Sequence, residues 1–169
     1  MGTIGVDKIK HSYIIWNNDI WEDGIWEDGE WFDGVWKDGT WKGGTWFDGT
    51  WEKGIWEYGI WHNGDWENGT WKDGEWCDGE WKDGDWKDGT WVNGIWKKGT
   101  WHNGAWEDGV WEDGVWEGGI WINGTWKNGT WKSGKIWNPN TCKYEYSKVN
   151  PSECEWSLSY NKIGDETND

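Results

Sequence analysis

The chain has 169 residues and a net charge of −16, and it contains 26 tryptophans and 28 glycines but no arginine. Phosphate backbones require a basic footprint on the protein, so this composition argues against direct nucleic-acid binding. No apolar run is long enough to span a bilayer, and no secretory leader is visible. We therefore expect a single domain with neither segment, and the sequence leaves its location in the cell or in a virion open.

Residues 1–15 precede the regular part of the chain. Val6, Ile9 and Tyr13 supply apolar side chains there, followed by a pair of isoleucines. Repeat proteins need a terminal cap because their end units have only one neighbour. We interpret residues 1–15 as an N-terminal cap.

Residues 16–135 form a repeat of the pattern Trp-x-x-Gly-x, in which a tryptophan occupies every fifth position from Trp16 to Trp131. Glycine holds the fourth position throughout except at Asp19, and alanine never replaces it. This constancy indicates a backbone requirement as well as a size requirement, since glycine tolerates positive φ. Asp or Asn usually precedes the glycine, which favours a tight corner after a short extended segment.

Two all-β architectures fit this repeat. An antiparallel β-hairpin meander is suggested by Asn68-Gly69, which matches a type I′ turn. Three-residue strands with identical two-residue loops would, however, direct both ends of each strand toward the same neighbour. A β-solenoid avoids this conflict and buries the tryptophans by stacking successive coils. We therefore predict a β-solenoid with a tryptophan core.

The repeat resembles the pentapeptide-repeat proteins, with Trp as the large inward residue of each side and Gly, two positions earlier, as the small one. The resemblance implies a right-handed, four-sided β-helix with about 20 residues per coil and about 6 coils, roughly 29 Å long. A weaker likeness connects the pattern to Trp/Gly/Asn-rich repeats of bacteriophage structural proteins. On a 20-residue period, one column of the core contains Trp21, Trp41, Trp61, Trp81, Trp101 and Trp121, and the matching corner glycines are Gly24, Gly44, Gly64, Gly84, Gly104 and Gly124.

The pattern changes after Lys135, where one extra residue moves Trp137 out of phase. Residues 141–146 and 152–160 alternate in polarity around a turn at Asn150-Pro151, which predicts a β-hairpin cap over residues 136–161. The alternative is a strand pair used for dimerisation, as the family resemblance implies. Residues 162–169 are interpreted as an acidic tail.

The candidate reactive residues do not form a recognisable site. We expect Cys77, Cys142 and Cys154 to be free thiols, because a Cys142–Cys154 disulfide would need another hairpin register. His62 and His102, two coils apart on a 20-residue period with Lys82 between them, are interpreted as surface residues. The Asp-rich corners, such as Asp23 and Asp28, are expected to cap their own turns, with calcium binding as the alternative. We predict no catalytic residue, no metal and no cofactor.

These observations favour a non-enzymatic structural or interaction scaffold, including a component of a virion or a surface appendage, that binds a protein partner or itself. Two alternatives remain at this stage. The family resemblance implies an acidic DNA mimic that inhibits or protects a topoisomerase. A glycan-binding module would instead require exposed indole rings.

Overall fold

A computed structural model describes residues 14–16 and 19–156. The predicted cap therefore lies outside the described residues up to Tyr13, and the predicted acidic tail lies outside them altogether. No described helix is long and apolar enough to cross a membrane.

The repeat consists of very short strands, each ending on a tryptophan, that are joined by tight corners. In chain order the strands are β1 (Ile14–Trp16), β2 (Asp19–Trp21), β3 (Ile25–Trp26), β4 (Gly29–Trp31), β5 (Gly34–Trp36), β6 (Thr40–Trp41), β7 (Thr45–Trp46), β8 (Thr50–Trp51), β9 (Ile55–Trp56), β10 (Ile60–Trp61), β11 (Asp65–Trp66), β12 (Thr70–Trp71), β13 (Glu75–Trp76), β14 (Glu80–Trp81), β15 (Asp85–Trp86), β16 (Thr90–Trp91), β17 (Ile95–Trp96), β18 (Thr100–Trp101), β19 (Ala105–Trp106), β20 (Val110–Trp111), β21 (Val115–Trp116), β22 (Ile120–Trp121), β23 (Thr125–Trp126), β24 (Thr130–Trp131), β25 (Gly134–Asn138) and β26 (Lys143–Ser147).

The strands assemble into three sheets, in which each strand of the repeat pairs with the strands three before and three after it. The first sheet runs from β1 to β25 and ends on β26, the second from β2 to β23, and the third from β3 to β24. Pairing within the repeat is parallel, so that Trp66 lies beside Trp51 and Trp81. The β-solenoid prediction is confirmed, and parallel pairing excludes the hairpin meander.

The predicted four-sided coil is wrong. One coil takes roughly 15 residues, and the repeat makes about 8 turns. Three sides therefore complete a coil, and the turns are shorter and more numerous than the pentapeptide-repeat resemblance implies. The reason lies in the size of the indole ring. Neighbouring sides place their rings edge to face, as Trp66 and Trp71 do at 6.0 Å and 72°. Three large rings already fill the cross-section that the resemblance fills with four smaller side chains.

Tryptophans of successive coils stack almost parallel. Trp66 and Trp81 have ring centroids 4.7 Å apart and planes inclined by 7°, and the other stacks are similar. The spacing equals the distance between neighbouring strands in a sheet. Backbone pairing and ring stacking therefore share one repeat distance, and neither distorts the other.

The corner glycine is required for two independent reasons. From Gly24 to Gly129 each fourth-position glycine has a positive φ, between 106° and 137°. A Cβ on Gly44 would also lie 2.2 Å from the carbonyl oxygen of Gly29 on the coil before it. The backbone and size requirements inferred from the sequence are thus both present at the same residue.

The Asp or Asn before the glycine fixes the corner. The Gly49 N–H donates to Asp48 Oδ1 at 2.8 Å, and the Gly69 N–H donates to Asn68 Oδ1 at 2.7 Å. The same bond is made after Asp23 and Asp28. The expectation that these side chains cap their own turns is confirmed.

The C-terminal cap differs from the predicted hairpin. Ile136 takes the inward place in the last coil, where it is fully buried, and Trp137 consequently points outward. The hairpin pairs Gly134–Asn138 with Lys143–Ser147, not residues 141–146 with 152–160. Residues 151–153 form a turn, residues 155–156 are helical, and 157–160 lie outside the described residues. The extra residue in the sequence therefore ends the tryptophan column and starts the hairpin.

The adjacent residues Gly44 and Gly43 give a matched test of the corner. Gly44→Ala should lower the free energy of unfolding by more than about 2 kcal/mol, because its φ of +108° and the Gly29 carbonyl both oppose a side chain. Gly43→Ala places a Cβ no closer than 3.6 Å to a neighbouring atom and should be neutral or stabilise by up to about 1 kcal/mol. Urea unfolding monitored by tryptophan fluorescence measures both changes. Equal effects of the two substitutions would contradict the proposed close approach of the coils.

Candidate interaction surface

Within the described chain, the interior of the solenoid is filled by tryptophan side chains that solvent and ligands cannot reach. Every tryptophan from Trp21 to Trp121 is at most 2% exposed. The predicted column Trp21, Trp41, Trp61, Trp81, Trp101 and Trp121 lies in the core, but its members are divided among the three sheets because a coil has three sides and not four. The predicted glycines Gly24, Gly44, Gly64, Gly84, Gly104 and Gly124 are likewise divided among the three corners. Differences between coils are therefore confined to outward positions.

Each sheet has an outer face made by the residues that flank its inward tryptophans. On the second sheet the residue after each tryptophan is Glu or Lys. Lys37 Nζ lies 3.1 Å from Glu22 Oε1 one coil away, and Lys82 Nζ lies 2.6 Å from Glu67 Oε1. The outer face of the second sheet therefore carries a ladder of ion pairs between coils.

The third sheet is built in the same way. Lys72 Nζ lies 3.0 Å from Glu57 Oε1. Glu117 Oε1 lies 2.6 Å from Lys132 Nζ, and Glu117 Oε2 lies 2.7 Å from His102 Nδ1. Pairs of exposed charges contribute little individually, but they neutralise like charges stacked along a column. On these two faces most of the charged residues that follow a tryptophan thus pair with a residue one coil away.

The outer face of the first sheet has a different chemistry, and we call it the apolar face. Its residues from β4 to β22 are Glu30, Phe32, Thr45, Phe47, Ile60, His62, Glu75, Cys77, Thr90, Val92, Ala105, Glu107, Ile120 and Ile122. None of them is lysine, and the three glutamates are the only carboxylates. Because equivalent positions on this face are three repeats apart, a four-sided coil scatters them over the surface. Testing a three-repeat period in the sequence would have revealed them.

Side chains on the apolar face pack along the solenoid axis. Phe32 stacks on Phe47 at 4.8 Å, and Phe47 stacks on His62 at 5.0 Å. At the other end, Trp137 occupies the next position and contacts Tyr144 of the hairpin at 4.9 Å. The apolar face therefore extends from β4 to the C-terminal hairpin, with Glu107 as the one carboxylate among the residues that follow its tryptophans.

Cys77 belongs to this face and is not an activated thiol. Burial, reinforced by the nearby Glu75 carboxylate, raises the pKa of Cys77 to about 11. At neutral pH it is a thiol that packs like a small apolar side chain. Cys77 and Cys142 are free thiols, as expected. Cys154 is buried in the cap, and no Cys142–Cys154 disulfide is present in the described chain.

The corner between the apolar face and the second sheet is acidic and contains no lysine. Its outermost residues are Asp33, Asp48, Asn63, Asp78, Asn93, Asp108 and Asn123. An open groove of about 490 Å³ runs along three coils of this corner, with Asp48 and Asp78 on one side and Asp65 and Glu80 on the other. Lys82 and Lys97 approach Asp65 and Glu80 only from the far side, at 3.7 Å.

The predicted relation between the histidines is wrong. His62 lies on the apolar face, His102 on the third face and Lys82 on the second, because the number of repeats between them is not a multiple of three. Within the described ranges, no group of three His, Cys, Asp or Glu side chains is placed to hold a metal ion.

The chain matches no protein-family model and no curated protein. Among solved structures, one alignment is to the polysialic-acid-specific acetyltransferase NeuO, at 8% identity over 94% of each chain with a TM-score of 0.22. Another is to an acetyltransferase from Desulfovibrio desulfuricans G20, at 4% identity over 84% of this chain and 40% of that one, with a TM-score of 0.16. Alignments with such TM-scores do not define a shared fold. The protein's own geometry defines its class, a three-sided β-solenoid repeat protein with a tryptophan core.

The ion-pair ladders should make stability depend on pH in a defined direction. Hydrogen bonds from Lys127 to Glu112, and from Lys132 and then His102 to Glu117, hold the pKa values of these carboxyl groups below the ordinary 4.5. Since the folded-state pKa is lower, the stabilisation is complete above pH 4.5 and is lost as pH falls through the folded value. Lys127→Gln/Lys132→Gln should therefore destabilise the protein at pH 7 and have little effect near pH 2.

A charge-matched control is Lys98→Gln/Lys143→Gln, because neither lysine makes an ion pair within the described chain. Urea unfolding of both double variants at pH 7 and pH 2 compares them at equal net charge. A difference between the variants that persists unchanged at pH 2 would contradict the assignment.

Proposed function

We propose that the protein is a non-enzymatic scaffold that acts through its outer faces. The observation that carries the proposal is that the repeat combines constant core and corner positions with variable outward positions. The invariant tryptophans and glycines are used for stacking and for the corners, at spacings that hardly vary along the chain. Variation is confined to outward positions, which is the arrangement of repeat proteins that present an extended binding surface.

A component of a virion or a surface appendage is a role that this architecture suits. Each coil adds one strand spacing, and the same contacts recur at each step, so the solenoid holds a fixed length of roughly 38 Å over about 8 turns. Within the described repeat, the uniformly packed tryptophan core contains no hinge. We propose that the protein serves as a rigid spacer or attachment surface in such an assembly.

The two alternative functions fit the geometry less well. A glycan-binding module built on tryptophan needs exposed indole rings, whereas the indoles from Trp21 to Trp126 are buried. A DNA mimic needs a continuous anionic surface, whereas lysines pair with the carboxylates on the second and third faces. The scaffold function requires neither property.

Photo-crosslinking in the organism that encodes the protein tests the scaffold function. A benzophenone amino acid replaces Phe47, Glu52 or Glu57, which lie on the first, second and third faces of one turn. When the full chain is in its native assembly, we expect at least one face to form a covalent adduct with a protein. The amount of this adduct should be comparable to the amount of the protein itself. The same residue placed at buried Trp76 should give only crosslinks within the chain and serves as the control.

Absence of adducts from all three faces, together with a monomeric state of the endogenous protein, would contradict the scaffold function. An adduct to a second copy of the chain would support a self-assembling scaffold. An adduct to another protein would support a scaffold that recruits a partner.

A further inference from the structure

We infer that the apolar face binds a basic amphipathic helix of a partner protein. The inference rests on the scaffold function proposed above and specifies the face and the partner. Three observations carry it: an exposed apolar column, acidic borders without lysine, and a repeat distance close to the pitch of an α-helix.

The positions that follow tryptophan hold mostly apolar residues on the apolar face and charged or histidine residues on the other two faces. Phe32 is 40% exposed and Ile60 is 39% exposed, although the chain has a net charge of −16. At the equivalent positions after tryptophan, every residue from Glu22 to Lys132 on the other two faces is Glu, Lys or His. Exposed isoleucines that precede tryptophan, such as Ile25 and Ile55, also occur on the other faces, so the first face is distinguished by the apolar residues that follow its tryptophans. A group of exposed apolar side chains bordered by polar residues is characteristic of interaction surfaces.

The borders of the apolar face identify the charge of the partner. Asp48 and Asp78 lie along one edge, and Asp73 and Asp88 lie along the corner on the opposite edge, with no lysine among either set of corner residues. Bonds from the following glycine N–H hold these carboxylates in place before any partner binds. A cationic partner would complete the ion pairs that lysines supply on the other faces. A second copy of the chain would instead bring two sets of acidic borders together.

The length and spacing of the column fit a helix. From Phe32 to Trp137 the column covers seven coil steps, or roughly 34 Å. Residues on one stripe of an α-helix recur about every 5.4 Å, near the coil spacing of about 4.8 Å, whereas same-face residues of a strand recur about every 6.7 Å. A helix can therefore place one apolar residue against each of several consecutive coils, with lysine or arginine toward both borders.

A synthetic helix of leucine, alanine and lysine, with the leucines on one stripe, is a suitable probe. Fluorescence anisotropy with the purified full chain should detect binding that weakens as the salt concentration rises. Phe32→Ser/Phe47→Ser should raise the dissociation constant about tenfold or more. The matched control Lys37→Ser/Glu52→Ser changes the same two coils on the second face, leaves the net charge unchanged and should have no such effect.

A second pair of variants tests the acidic border without altering the corners. Asp48→Asn/Asp78→Asn keeps a side-chain oxygen for the glycine N–H, as Asn68 does in the native chain. It should weaken binding of the probe severalfold, whereas Asp83→Asn/Asp113→Asn on the corner between the second and third sheets should not. Unchanged urea unfolding of each variant shows that the comparison concerns binding alone.

The inference is overturned if the probe does not bind, if the two phenylalanines can be replaced without loss, or if a polylysine peptide lacking leucine binds equally well. It is also overturned if native crosslinks arise from Glu52 or Glu57 but not from Phe47, an outcome that leaves the scaffold function standing. Loss of crosslinks from all three faces would instead remove the scaffold function itself.

Discussion

The structure depends on one unit, a layer of three indole rings that meet edge to face and stack on the layers above and below. Within a layer the centroids lie 5.7–6.1 Å apart, and between layers 4.7–5.1 Å. Both arrangements are preferred by aromatic pairs. The stacking distance also equals the strand spacing, so the core and the backbone hydrogen bonds of each coil are satisfied by the same geometry.

Packing the indole rings into this layer buries many of their N–H groups without a hydrogen-bond acceptor. From Trp36 to Trp96 the indole N–H groups have no hydrogen-bond partner, while those of Trp101 and Trp111 donate to backbone carbonyls of the next coil at 3.1 Å. An unsatisfied donor costs about 1–3 kcal/mol. Burying a whole indole contributes about 4–6 kcal/mol from its area alone, before stacking is counted. Burial of the ring therefore outweighs the lost hydrogen bond, and tryptophan remains favourable at every position.

The same layer explains the corners. Tight stacking brings the corner glycines of adjacent coils close together, so that a Cβ on Gly79 would lie 2.4 Å from the Gly64 carbonyl oxygen. The Asp or Asn that precedes most of these glycines then accepts a hydrogen bond from the glycine N–H and fixes the turn of the chain. With these positions fixed, only the outward residues can differ between coils, and their sorting into two ion-paired faces and one apolar face is where the protein can carry specificity.

Much of this could be predicted from the sequence. The glycine that never becomes alanine, and the parity conflict of the hairpin meander, were sufficient to predict a β-solenoid. The three-repeat period was missed because a pentapeptide repeat is compatible with three or four sides, and the number of sides was taken from the resemblance to the pentapeptide-repeat proteins. The apolar face was missed for the same reason, since Phe32, Phe47 and Val92 fall into one column only on the correct period. The hairpin pairing was wrong because Ile136 replaces the tryptophan inside the last coil, which the alternation of residues 141–146 does not reveal.

The period of the coil is tested most directly by pairs of cysteines introduced on outward positions of a chain in which Cys77, Cys142 and Cys154 are replaced. Glu52→Cys/Glu67→Cys places the two residues on adjacent coils of the second face, about 4.8 Å apart, within the range of Cα separations that disulfides accept. Glu52→Cys/Lys72→Cys places them on different faces. We predict that mild oxidation crosslinks the first pair, which is three repeats apart, and leaves the second pair, four repeats apart, reduced. The opposite result would contradict the three-indole layer and restore a four-sided coil.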